Sequence, residues 1–169
     1  RLDYLKKIHE IAKKEGFFIG IKIVRGAYLE KENARALQKG YPSPICSSKA
    51  ATDVNYDAAV SYMMEHLDNM SIFAGTHNEE STYFLMNTMK EKKIKTDDNR
   101  IWFSQLYGMS DNISYNLADH EYNVAKYLPF GPVKDVMPYL IRRAEENTSV
   151  AGQTNRELAL IKAERKRRE

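Results

Sequence analysis

The sequence has one cysteine, Cys46, so it cannot form a disulfide with itself or build a cysteine metal cluster. That usage fits a reducing compartment. Its four histidines, His9, His66, His77 and His120, have no metal-ligand spacing among themselves. No apolar run approaches the length needed to cross a bilayer, and no signal peptide is visible. Charge of one sign is scarce. The net is +3, from 26 basic and 23 acidic residues, and much of the excess sits in the tail "KAERKRRE". Without that tail the chain is near neutral, so no nucleic-acid partner is indicated. Glycine is sparse as well. "VRGAY" carries one glycine where a dinucleotide loop of the G-x-G-x-x-G type needs three. Also missing is an N-cap at the start: "RLDYLKKIHEIAKKEG" reads as a helix already under way, which gives the expectation of a fragment boundary there.

What remains is an ordinary globular composition, with 43% apolar and 11% aromatic residues over 169 positions. Short apolar runs read as buried strands: "FFIGIKIV" (17–24), "SIFAGTH" (71–77), "RIWFSQLYG" (100–108) and "NVAKYLPFG" (123–131). Helical patterns alternate with them, over about 50–67, 79–92, 111–119 and 132–147. A last helix is expected to start at "TNRE", where Thr154 and Glu157 have capping-box spacing. Strand-helix alternation predicts an α/β fold with a parallel sheet. Each strand ends in polar or glycine-containing residues, as do the strands of a (β/α)-barrel at its catalytic end. A complete barrel has eight strands and roughly 250 residues. Four strands alternating with helices predict the C-terminal half of a (β/α)8 barrel, a single partial domain over 1–169.

Several residues stand out on this frame. In "MPYLIRRAEEN", Val133, Met137, Leu140, Ile141 and Ala144 share one expected buried face, while Tyr139, Arg142, Arg143 and Glu146 share another. The second face reads either as a solvated stripe or as an anion clamp of two guanidinium forks beside an aromatic ring. Lys22 lies within an apolar strand on the face of Gly20 and Val24. It either snorkels to the strand end or is itself a cation held at the barrel mouth, facing a negative group. Arg25 admits the same two readings and fits an ion pair better. Thr76, His77 and Asn78 follow a strand: Asn78 suits an N-cap, and His77 is either structural or a ligand for phosphate or ribose hydroxyls. Tyr127 is core or pocket wall, and Pro132 suits a first helical position. A mouth of paired arginines and tyrosines suits a small anionic substrate and an anionic cofactor.

The runs "IKIVRGAYLEKENARALQKGYPSPI", "FAGTHN", "QLYGM", "KYLPFGPVKDVMPYLIRRAEEN" and "SVAGQTNREL" resemble the C-terminal half of proline dehydrogenase, from about residue 17 to 158. The form of "RGAYLEKENARALQKGYPSPI" and "QLYGM" resembles the stand-alone branch of that family. The resemblance implies an FAD-dependent oxidation of L-proline to 1-pyrroline-5-carboxylate in a distorted (β/α)8 barrel, with electrons passing on to a quinone. It implies that Arg142 and Arg143 bind the proline carboxylate and that Tyr127, Tyr139 and Leu106 pack around the pyrrolidine ring. It implies that Lys22 contacts the flavin near N5 and O4, that Val24, Gly26 and Ala27 line it, and that Thr76, His77 and Glu146 meet its pyrophosphate and ribose. Ser47 is implied on the adenosine side. Further implied are a cytoplasmic location, or a peripheral one on the inner membrane, bacterial or mitochondrial. The family's first barrel half supplies a second carboxylate-binding lysine, an aspartate and a glutamine. This chain would therefore need that half, or associate with itself, to complete a site. A hydroxyproline dehydrogenase is the near alternative, although its branch carries a smaller residue at the position of Tyr127. A non-catalytic half-barrel acting as an interaction module is the other.

Overall fold

The computed structural model describes residues 2–26, 28–149 and 151–168, with side chains outside 144–157 and 161. In chain order the elements are α1 (Leu2–Glu15), β1 (Ile19–Ile23), α2 (Leu29–Lys39), α3 (Lys49–Glu65), β2 (Met70–Gly75), α4 (Glu79–Glu91), β3 (Ile101–Leu106), α5 (Asp111–Asp119), β4 (Val124–Tyr127), α6 (Val133–Ser149) and α7 (Ala151–Arg168). The four strands are parallel and stand in sequence order, each hydrogen-bonded to the next. A doubly wound sheet reverses its strand order at a switch point. Sequential order is instead the winding of a (β/α)-barrel, in agreement with the reading of the sequence.

The alternation of each strand explains which side is core. Ile19, Ile21 and Ile23 of β1 point the same way as Met70, Ile72 and Ala74 of β2 and Ile101 and Phe103 of β3. That face meets Val60, Met63 and Met64 of α3, Leu85 and Met89 of α4 and Leu117 of α5 in one buried cluster. Each large aliphatic or aromatic side chain so buried contributes about 1.5–3 kcal/mol. The opposite face carries Gly20 and Lys22, Ser71 and Phe73, Trp102, and Tyr127. Lys22, Phe73 and Trp102 sit level with one another across three strands. This is the side that becomes the lumen of a closed barrel, and Lys22, Trp102 and Tyr127 are exposed on it.

Side-chain caps set two helix starts that matter for the site. Ser48 Oγ accepts from Ala51 N at 3.1 Å before α3, and Asn78 Oδ1 accepts from Ser81 N at 2.9 Å before α4. Asn78 is thus the N-cap that its position suggested.

The structure corrects five details. The strands are shorter than the apolar runs that announced them, because those runs continue into the loops, and β2 begins one residue before its run, at Met70. A helix, α2, occupies "LEKENARALQK" and ends at Gly40, whose φ of 69° suits a residue without Cβ. Pro132 stands just before α6, with its carbonyl accepting from Asp135 and Val136 N. α7 begins at Ala151, so Thr154 lies within the helix and does not cap it. The expected buried face of α6 is also open: Val133 is 75% exposed, and Met137, Leu140 and Ile141 are exposed too. Ala144 lies outside the described side chains.

Candidate functional site

The C-terminal strand ends bring four of the expected residues into one series of contacts. Lys22 Nζ stands 4.7 Å from the centre of the Tyr127 ring and 5.2 Å from that of Phe73. Tyr127 meets Tyr139 edge to face, with 6.1 Å between centroids. The guanidinium carbon of Arg143 lies 5.2 Å from the centre of the Tyr139 ring. Strand β1, the end of β4 and helix α6 are tied together in this way, although 121 positions (143 − 22) separate the first residue from the last. Register explains half of it, since Leu106 pairs with Tyr127 and Lys22 with Phe73. Cations over aromatic faces are stabilised by the ring quadrupole without losing their charge to a counter-ion. Arg143 is half-buried and Arg142, next to it, is exposed.

Beside this series lies an open cleft of about 1220 Å³. Gly26, Ser47, Thr76 and His77 line it, as do Arg25, Ser48, Asn78 and Ser110. Its walls include the capped starts of two long helices, α3 and α4, whose amide ends favour anions. At its inner edge is Gly75. A Cβ there would stand 2.8 Å from Val24 Cγ1 and 3.2 Å from Lys22 Cε, so the missing side chain is what lets both residues lie across β2.

His77 Nδ1 is 2.9 Å from Ser110 Oγ. Burial, followed by the positive charge of Lys126, lowers the His77 pKa below its usual range. Lys126 is itself held by Asp111 Oδ1 at 2.6 Å and Met109 O at 2.8 Å. A neutral imidazole in a polar cleft can exchange hydrogen bonds with ribose or phosphate oxygens without adding charge.

Arg25 proves to be an ion pair within the fold. Its guanidinium donates to Asp53 Oδ1 at 2.5 Å and to Thr76 Oγ1 at 2.9 Å, and it lies 4.4 Å above the Tyr56 ring. Asp53, Ser110 and Phe73 are the contributors that sequence reasoning missed. The one available signal was the position of Asp53 in the first turns of a helix that follows the Arg25 strand end. Of the expected residues, Lys22, Tyr127, Tyr139 and Arg143 come together, while Gly26, Ser47, Thr76 and His77 share the cleft. Leu106 lies beside Tyr127 by register, and Val24 lies against the Gly75 position between the two groups. Ala27 and the Glu146 side chain lie outside the described residues.

The dimensions and donor set of the cleft suit a dinucleotide. The volume exceeds that of ordinary small-ligand pockets, about 300–1,000 Å³, and the wall combines hydroxyls, an amide cap and cations. Among the described residues, no group of three or more His, Cys, Asp or Glu could hold a metal ion. No described helix is long and apolar enough to cross a membrane.

Known proteins resemble this chain along most of its length. Proline dehydrogenase 1, mitochondrial, of Caenorhabditis elegans is 42% identical over 164 residues, which cover 94% of this chain and 27% of the relative. The human protein of the same name is 42% identical over 162 residues, with the same two coverages. The chain thus spans about a quarter of the length of these relatives. The crystal structure of proline utilization A from Bdellovibrio bacteriovorus, inactivated by N-propargylglycine, superposes with a TM-score of 0.81 at 31% identity, over 87% of this chain and 15% of that one. The family model described as proline dehydrogenase matches residues 1–156. The match of the family model over most of its length, with the strand order in agreement, shows that the chain belongs to the proline dehydrogenase family.

Proposed function

We propose that this chain carries the carboxylate clamp and most of the cofactor groove of an FAD-dependent proline dehydrogenase. The observation that supports it best is the series Lys22, Tyr127, Tyr139, Arg143 at the strand ends, adjoining a dinucleotide-sized cleft. Arg142 and Arg143 hold the carboxylate of L-proline, because neighbouring guanidinium groups offer parallel donors matched to its two oxygens. Stacking on Tyr139 limits the orientations of Arg143 before substrate arrives. Tyr127, Tyr139 and Leu106 wall the pyrrolidine ring and exclude water from C5. Oxidation removes a hydride from C5 and a proton from nitrogen, leaving the C=N bond of 1-pyrroline-5-carboxylate. Bound flavin would supply the acceptor for that hydride.

Lys22 keeps a positive charge at the inner end of the groove, where negative charge accumulates on reduction. Val24 and Gly26 line the groove, while Thr76, His77 and Ser47 meet phosphate and sugar oxygens. Closure of a full barrel needs eight strands. We take the open edges at β1 and β4 to pair with four further β/α units, from the N-terminal half of the barrel or from another copy. A quinone at a membrane surface then receives the electrons. The test is anaerobic addition of L-proline to the flavin-loaded barrel completed by those four β/α units, with hydroxyproline in parallel. Bleaching of the flavin absorbance by proline, with 1-pyrroline-5-carboxylate formed in equal amount, is expected. An unbleached spectrum would contradict the assignment.

A further inference from the structure

The Arg25–Asp53 pair has no part in the clamp, yet it is built into the cleft wall. The side chain of Arg25 is only 14% exposed. Its two terminal nitrogens go to different elements: Nη1 to Asp53 of α3, and Nη2 to Thr76 at the end of β2. Thr76 is buried, at 5% exposure, and lines the cleft. Its hydroxyl oxygen accepts twice, from Arg25 Nη2 at 2.9 Å and from Asn78 N at 3.1 Å. A hydroxyl has two acceptor lone pairs and one proton. With both lone pairs engaged, the proton is the group's remaining hydrogen-bonding capacity. Its backbone is equally committed, the amide donating to Ser104 O and the carbonyl accepting from Gln105 Nε2.

We infer that Arg25 and Asp53 are positioning residues that fix the Thr76 hydroxyl as a donor toward an anionic oxygen of the bound cofactor. This rests on the flavin reading above and deepens it. Asp53 supplies the anchor: without its carboxylate, α3 meets the guanidinium only through the Tyr56 ring, which fixes no direction for Nη1, and the planar fork no longer keeps Nη2 aimed at Thr76. Donation by a cation also polarises the hydroxyl, which strengthens the bond its proton makes. The pair stands at the cleft and takes no part in the Lys22–Tyr127–Tyr139–Arg143 series, so it acts on cofactor binding and not on the substrate.

The experiment is a double-mutant cycle read by flavin titration of the apo form of the completed barrel, with Asp53→Asn and Thr76→Val singly and together. Asp53→Asn keeps the shape of the side chain, and a thermal melt of each variant checks that it is folded. Each single change is expected to raise the FAD Kd about tenfold, as for loss of one charge-assisted hydrogen bond. In the Thr76→Val background, Asp53→Asn should add little, because its effect passes through the hydroxyl that is already gone. Thr76→Ser should restore binding. Additive effects in the cycle, or a normal Kd in Thr76→Val, would overturn this inference while the parent still binds flavin. A completed barrel of parent sequence that takes no flavin would overturn the functional reading, and this inference with it.

Discussion

Tyr127 joins the two ends of the proposed site, and its truncation can be worked through from the contacts. Its ring faces the Lys22 ammonium at 4.7 Å and meets the edge of Tyr139 at a 6.1 Å centroid separation. Tyr127 is 45% exposed, so the cation contact belongs at the exposed end of its range, about 0.5–1 kcal/mol. The edge-to-face pair contributes about 0.5–1.5 kcal/mol. Tyr127→Ala removes both, about 1–2.5 kcal/mol together, and leaves Tyr139 without the neighbour that orients it under Arg143. If those contacts hold the clamp in its binding geometry, the proline KM should rise roughly 5- to 70-fold. Tyr127→Phe keeps the ring and both contacts, so its KM should stay within about twofold of the parent. Steady-state kinetics on the flavin-loaded protein decides. An unchanged KM in Tyr127→Ala would refute the coupling. A phenylalanine variant as impaired as the alanine one would show that the hydroxyl, not the ring, matters.

Other perturbations separate the roles further. Arg143→Ala should raise the proline KM about 10- to 100-fold, the loss of a charge-assisted bond. Arg143→Lys should not restore it, since the planar fork and its stacking on Tyr139 are gone; full rescue by lysine would contradict the clamp. Lys22→Met should lower the flavin midpoint potential and kcat with little change in KM, measured by potentiometric titration and kinetics. Normal potential with weak proline binding would reverse the assignment of Lys22. His77 gives a pH test. Burial and Lys126 lower its folded-state pKa below the ordinary value of 6.5, so the unfolded chain binds the extra proton first as pH falls. Its neutral form therefore contributes stability that is fully present above pH 6.5 and is lost progressively as pH drops below it. Thermal melts of the parent should show that slope, and His77→Gln should flatten it.

Much of the architecture was legible because it follows from period. Ile19, Ile21 and Ile23 alternate with Gly20 and Lys22, and the structure puts the first set in the core and the second on the open side of the sheet. Helix α2 escaped notice because it has almost no buried stripe to detect: Ala36 is its buried residue, and Leu37 is 87% exposed. Only its helix-forming composition and Gly40 marked it. The apolar stripe of α6 shows the converse. Spacing reveals which residues share a face, but not whether another element covers that face, and Val133 to Ile141 remain open. Long-range partners were beyond reach for the same reason. Nothing near Arg25 announces that Asp53 and Thr76 will flank it, because those contacts arise from register between strands and from the helix that crosses between them. The pair of arginines was visible at once. That Arg143 alone would lie on Tyr139 with Arg142 exposed depends on the rotation of α6, which its own sequence does not set.

The measurement that bears most directly on the assignment of these residues is an experimental structure of the protein with FAD and a carboxylate-bearing proline analogue. The account predicts the analogue's carboxylate against the guanidinium groups of Arg142 and Arg143, its ring between Tyr127 and Tyr139, and the pyrophosphate of the flavin along Thr76 and His77. An analogue bound away from the two arginines, or a flavin lying outside the cleft between Gly26 and Ser110, would contradict it.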